Sequence, residues 1–199
     1  MKISLSIVLF LTLSSIALAQ PDDSPDVMGV FFDPNYPAME GSVPANVPFT
    51  AYVVLMNPTL TVMNGFEYGY DHWVSPVNES LVLRLNTNFP PGIIFINPPF
   101  DPFTGSHTIP LAEPVPLGAY NVLMSWDYLL LADTFEMHFG VTGAENPTIP
   151  GGAPGYWDGT DVVPCGLAQT CWGTGSRMNA WCPLDTEQQS WGTLKGLYR

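Results

Sequence analysis

The stretch Gly65-Phe66-Glu67-Tyr68-Gly69-Tyr70-Asp71 decides the fold. Phe66, Tyr68 and Tyr70 alternate with Glu67, Gly69 and Asp71. Successive side chains leave opposite faces of a strand, so a period of two marks a strand with one apolar face and one polar face. Upstream, Met63-Asn64-Gly65 predicts a turn, and residues 49–56 (FTAYVVLM) predict a strand rich in β-branched and aromatic side chains. A first short strand is expected over 27–32. Downstream, Leu81, Leu83 and Leu85 repeat the alternation around Val82 and Arg84, residues 93–96 form a continuous apolar run, and Phe135, Met137 and Phe139 alternate again. Residues 120–131 read either as one strand kinked near Asp127 or as two joined there. Twenty-one prolines and eighteen glycines break these runs too often for long helices. Seven or eight short strands predict an all-β fold, an immunoglobulin-like or jelly-roll antiparallel β-sandwich over residues 20–142.

The ends of the chain read differently. Residues 1–19 have the parts of a cleavable secretory signal: Lys2, an apolar run over 3–13, and Ala17-Leu18-Ala19 before a cut at Gln20. A membrane anchor needs about 20 apolar residues, and this run is shorter, carries serines and is followed by Pro21-Asp22-Asp23. The expectation is a secreted or extracytoplasmic protein (periplasm, cell surface or medium) with no membrane span after signal cleavage. Residues 143–164 (GAENPTIPGGAPGYWDGTDVVP) have no periodicity and are expected to be a Pro/Gly-rich linker or loop. Residues 165–199 then form an irregular C-terminal extension that holds all three cysteines and ends in a short helix. Thr186 and Gln189 stand at capping-box spacing. Trp191, Leu194, Leu197 and Tyr198 fall on one helical face, expected to dock.

Charge narrows the function. Cleavage of Lys2 leaves eighteen acidic residues against four basic ones. From residue 20 to 164 there are sixteen acidic residues and one basic one, Arg84. Such a body repels phosphate backbones and anionic membranes, which argues against nucleic acid as a partner. Export makes a disulfide among Cys165, Cys171 and Cys182 plausible, and one thiol is then left over. The spacing leaves open which two pair.

Sequence motifs give no catalytic or metal site and imply no cofactor, so the chain is not expected to be an enzyme. His72, His107 and His138 have no ligand partner at metal-site spacing. Asp158-Gly159-Thr160-Asp161 begins like a calcium loop but lacks the remaining oxygen ligands, and predicts a turn. Glu67, Asp71, Glu79 and Asp127 supply carboxylates, whose use in sugar hydrolysis would depend on their separation. Among the six tryptophans, Trp73 and Trp157 are candidates for stacking on a ligand, while Trp126 is expected in the core.

Residues 47–95 resemble the opening half of a cohesin-type module, in which a strand of the form Gly-Phe-Glu-aromatic-x-x-Asp precedes a leucine-rich strand. Here Asp71-His72-Trp73 stands where that family has Asp-Pro. The resemblance implies the jelly-roll-like sandwich of cohesins and carbohydrate-binding modules. Separately, Ser190-Trp191-Gly192-Thr193-Leu194-Lys195-Gly196-Leu197-Tyr198-Arg199 is similar to the Trp-Gly-x-x-Lys-x-Leu-Tyr ending of uncharacterised secreted proteins of environmental bacteria. That similarity implies a bacterial extracytoplasmic source. The functional expectation is a structural or interaction module of the cell exterior, with cell-surface proteins as partners. The alternative is a carbohydrate-binding module acting on polysaccharide.

Overall fold

The computed structural model describes residues 23–35, 38–76, 78–93, 101–132, 135–170 and 173–180. The signal segment, Cys171, Trp172, Trp181, Cys182 and the tail face Trp191, Leu194, Leu197 and Tyr198 lie outside the described residues, as does most of the expected strand at 93–96. In chain order the strands are β1 (Val27–Phe31), β2 (Glu40–Gly41), β3 (Pro48–Met56), β4 (Val62–Ser75), β5 (Val82–Asn88), β6 (Thr104–Pro116) and β7 (Tyr120–Leu130). They continue with β8 (Glu136–Thr142), β9 (Gly155–Trp157), β10 (Val162–Pro164), β11 (Gly166–Leu167), β12 (Gln169–Thr170), β13 (Gly173–Thr174) and β14 (Ser176–Met178). Among the described residues no helix is long and apolar enough to cross a membrane.

Two sheets face each other. The first has the order β11-β1-β3-β7-β5. The second has the order β10-β9-β4-β8-β14-β2, with β6 also paired to β4. Gly69 to Asp71 pair with both β6 and β8, and Gly65 to Glu67 with both β6 and β9. A strand has two edges, so β9 and β8 lie end to end along one edge of β4 and β6 takes the other.

The alternation in β4 does what its sequence predicts. Phe66, Tyr68, Tyr70 and Val74 point inward to a core they share with Val53 and Leu55 of β3 and Trp126, Tyr128 and Leu130 of β7. Each such side chain, fully buried, contributes about 1.5–3 kcal/mol. Met63-Asn64-Gly65 is not a turn. It is an irregularity inside β4, where the β6 partner jumps from Val115 to Pro110. Residues 120–130 form one strand, whose own irregularity is an extra residue at Leu123, opposite the step between Val53 and Val54. Near Asp127 it is the neighbour β5 that bulges, at Leu85.

The expected linker at 143–164 is corrected by the structure, because this segment joins the sheet. β9 pairs with β4, β10 pairs with β9, and Tyr156 is fully buried. The Tyr156 hydroxyl donates to Asp26 Oδ1 at 2.5 Å and accepts from the Thr59 and Leu60 amides at 2.9 and 3.2 Å. Backbone contact at glycine replaces apolar periodicity here. A Cβ added at Gly143 would sit 1.7 Å from the Gly152 carbonyl oxygen, which explains why periodicity gave no signal. Asp158-Gly159-Thr160-Asp161 is the turn between β9 and β10, with Asp158 Oδ1 accepting from the amides of Thr160 and Asp161, each at 2.8 Å.

The domain also runs past residue 142 and past the linker into the extension. β11 adds in parallel to β1, and β14 lies antiparallel to β8 and parallel to β2. Ala168 helps cover the outer face of the first sheet, where Val27, Phe31, Met39, Val54 and Met56 form a second, smaller core. β1 is therefore buried at every residue: Met28 and Val30 feed the main core, and Val27 and Phe31 the smaller one.

Candidate functional site

Outward-facing residues of β4 alternate with its core residues: Gly65, Glu67, Gly69, Asp71, Trp73 and Ser75. Glu67 shows how the first of these are covered. Its carboxylate is fully buried and accepts from the Thr148 amide (2.8 Å), the Ile149 amide (3.2 Å), the Thr148 hydroxyl (2.7 Å) and the Thr108 hydroxyl (3.1 Å). Four donors from its own chain stabilise the charge away from water and fix the 143–152 segment over the sheet. Trp157 lies just beyond, its ring over Gly65, where an added Cβ would come within 2.1 Å of the indole.

Past this cover, Trp73 stands 48% exposed. Its register partner on β8 is His138, whose own partner on β14 is Arg177, and Arg177 is in turn opposite Glu40 of β2. One row thus crosses four strands: Trp73, His138, Arg177, Glu40. Directly opposed side chains on neighbouring strands stand about 4.5–5.5 Å apart at Cβ, close enough for rings to meet. The indole and imidazole do so face to face, with centroids 3.5 Å apart and planes within 6°. His138 is buried between its neighbours. Burial first, and the Arg177 charge second, lower its pKa to about 4, so the imidazole is neutral at neutral pH. Glu136 Oε2 lies 3.6 Å from His138 Nε2, beyond a hydrogen bond. The stack clamps one face of Trp73 and sets its orientation, while half of the side chain stays in solvent.

The two candidate tryptophans do not form one platform. Both lie on the outer face of the second sheet, but β4 rises about 3.3 Å per residue, which puts Gly65, under Trp157, some eight residues and about 26 Å from Trp73. The segment held by Glu67 lies between them.

The three histidines also separate. His72 points into the core, 4.9 Å from the ring centroids of Trp126 and of Phe139, and burial and then Arg84 lower its pKa to about 3. His107 packs on Tyr68 and Tyr70 and is lowered to about 4 for the same reasons. His138 is on the opposite face of its sheet. Among the described residues no three His, Cys, Asp or Glu side chains are grouped to hold a metal ion. Cys165 is a buried free thiol, which burial and then the Asp26 carboxylate push up to about 12.

The carboxylates are scattered as well. Glu67 and Asp71 lie four residues apart on one strand, about 13 Å, wider than the roughly 5–9.5 Å of paired glycosidase carboxylates. Asp127 faces outward from the other sheet, accepting from the Thr50 hydroxyl at 2.8 Å and the Asn88 side-chain Nδ2 at 3.1 Å. Glu79 lies in a short 3-10 turn. Sequence reasoning did not single out His138, Arg177 or Arg84 as neighbours of anything. Arg84 Nη1 donates to the Tyr70 hydroxyl at 3.1 Å, and that hydroxyl donates to the Asp101 carbonyl at 2.8 Å. The alternation of Leu81, Leu83 and Leu85 pointed the other way, since a buried leucine face would turn Arg84 outward; in the structure Leu83 and Leu85 are exposed and Val82 and Arg84 face inward.

No protein-family model matches the sequence, and no curated protein matches it. Solved structures do resemble the fold. A type II cohesin domain from the cellulosome of Acetivibrio cellulolyticus superposes with a TM-score of 0.52 at 8% identity, covering 78% of this chain and 96% of that one. The sixth cohesin of scaffoldin B from Acetivibrio cellulolyticus, in complex with a dockerin, gives 0.50 at 7% identity, covering 79% of this chain and all of that one. The similarity reaches well beyond residues 47–95, where the sequence resembles the family. The chain is an all-β sandwich with a cohesin-like body.

Proposed function

We propose that this chain is an extracytoplasmic, non-catalytic interaction module that holds a protein partner against the outer face of its second sheet, with Trp73 as the anchor. The observation that carries the reading is the exposed indole of Trp73, fixed by its stack on His138 within the row to Arg177 and Glu40. A large rigid aromatic, here two strands from an arginine, is the kind of residue that dominates protein interfaces, because it buries much area with little loss of rotamer freedom. The likeness to a cohesin seen with its dockerin supports a protein partner. The sequence at 1–19 supports the compartment.

The test places a photo-crosslinking amino acid at position 75, beside the patch, in the full chain expressed in its native host. Wild type is expected to yield a discrete crosslinked species from the extracytoplasmic fraction, and Trp73→Ala to lose it. Equal yields, or a chain confined to the cytoplasm with an intact N-terminus, overturn the proposal.

The alternative reading, carbohydrate binding, is favoured by the same indole, since a flat aromatic face suits the apolar C–H side of a pyranose and Asp71 flanks it on the strand. Depletion of the chain by insoluble cellulose or chitin, abolished by Trp73→Ala, would favour it over a protein partner.

A further inference from the structure

A bare indole face suits apolar, sugar and cationic groups alike, and the side chains around Trp73 narrow that choice. The His138 imidazole lies against one face of the indole, with centroids 3.5 Å apart and planes within 6°. The surface left in solvent is therefore the opposite face. Asp71 stands two residues back on β4, exposed on the same side of the sheet and about 6.6 Å away along the strand. Its partner on β8 is Gly140, which puts no side chain over it. Two residues forward, Ser75 lies opposite Glu136, whose side chain is 47% exposed. A carboxylate is thus placed at each end of the indole. Positive charge is kept away from the free face. Arg177 lies on the far side of His138, which is itself neutral at neutral pH. Arg84, the one basic residue between positions 20 and 164, turns inward to the Tyr70 hydroxyl.

We propose that the partner presents an arginine, carried on a basic segment, to this free face. The guanidinium lies flat on Trp73 and completes a stack of imidazole, indole and guanidinium. Its N–H edge donates to the Asp71 carboxylate, and Glu136 adds a second negative charge at the other end of the ring. This inference rests on the Trp73 reading and names the chemistry of the partner. Three arguments favour arginine over other occupants. The face of an indole is the negative part of its quadrupole and attracts a cation more strongly than other aromatic rings do. A planar guanidinium can stack and keep its donors free for a carboxylate, whereas an ammonium group cannot do both. Finally, a body with sixteen acidic residues and one basic one between positions 20 and 164 draws in a cationic segment and repels an anionic one. A sugar would use the indole and leave both carboxylates without a counter-charge.

Two experiments test it. The first titrates the full chain with acetyl-Gly-Arg-Gly-amide and with its lysine and citrulline counterparts, following the Trp73 indole N–H resonance, which Trp73→Phe assigns. The arginine peptide is expected to shift that resonance saturably, about threefold more tightly than lysine and about tenfold more tightly than citrulline, which is planar but uncharged. Asp71→Asn should weaken it by about three- to tenfold and Glu136→Gln by less, with the resonance of the free protein unmoved. Equal binding of arginine and citrulline overturns the proposal. So does an affinity that Asp71→Asn leaves unchanged, or a shift given by cellohexaose and not by arginine. The second experiment repeats the crosslinking from position 75. Asp71→Asn and about 0.5 M salt should each cut the yield of the crosslinked species, and its partner peptide should contain arginine. If Trp73→Ala abolishes the crosslink while Asp71→Asn and salt do not change it, the arginine is wrong and the Trp73 anchor stands. If Trp73→Ala also leaves it unchanged, both fall.

Discussion

Along β4, Gly65, Glu67 and Gly69 point out of the same face of the same sheet as Asp71, Trp73 and Ser75. The first three lie beneath residues 143–157, while the second three carry the exposed indole. Both halves have the same alternation and the same core beneath them. What differs is a single polar side chain. Glu67 offers four acceptor contacts to an incoming segment, whereas Trp73 offers an aromatic face that one imidazole already takes. A surface position on a sheet is thus closed by hydrogen bonds that specify one segment, or left open by a flat apolar group that specifies none.

Acid gives the largest expected effect and separates the two halves. His72 and His138 belong to the open half, and His107 lies opposite Tyr68 at its border. All three have folded-state values below the ordinary histidine range, at about 3, 4 and 4. Between those values and pH about 6.5 the unfolded chain binds more protons, so stability is full above pH 6.5 and is lost as pH falls toward 3 to 4. Urea midpoints measured from pH 7.5 to 4 should drop steadily below 6.5. Exchange at residues 71–75 and 136–140 should quicken before that at 65–67; the reverse order would break the comparison.

Glu67→Ala comes next. It leaves two amides and two hydroxyls without their acceptor in a buried site, and should cost about 3–5 kcal/mol in denaturant unfolding. Glu67→Gln should cost less. A loss under about 1 kcal/mol would mean that the cover is held by something else. Gly143→Ala, whose Cβ collides with the Gly152 carbonyl, should cost about 1–3 kcal/mol by overpacking the same cover.

Trp73→Ala should have the smallest effect on stability, under about 1 kcal/mol, as expected for a side chain left largely in solvent. It should raise the His138 pKa by opening one side of the ring to water, which an NMR titration of that imidazole would read. A large destabilisation with no change in His138 would make Trp73 a packing residue.

How far the sequence revealed this divides along the same line. The period of two from Phe66 to Asp71 was plain because alternation is a local property, and it carried the sandwich with it. The covering segment was opaque because its order comes from Glu67, 81 residues away from Thr148, and from glycine contacts that leave no apolar pattern. Trp73 stood out by residue type and by its neighbour Asp71. Its stack on His138 did not, since register between strands 65 residues apart is set by the assembled sheet. Arg84 was visible as the one basic residue of the body, but its bond to Tyr70 needed the two sheets to be brought together. The second core was hidden for a related reason: Val54 and Met56 read as a continuation of one apolar run, although they point away from Val53 and Leu55.

The parallel pairing of β1 with β11 carries a kinetic consequence. Val27 sits beside Gly166 and Met28 beside Leu167, so the first strand made is completed by one of the last. Pairings that span most of a chain form late, because a large loop must close before they return any stabilisation. Residues 23–164 alone would leave one edge of β1 unpaired and Val54 and Met56 without Ala168 above them. The first sheet would therefore finish folding only once residues 166–168 were available, with that segment serving as the latch.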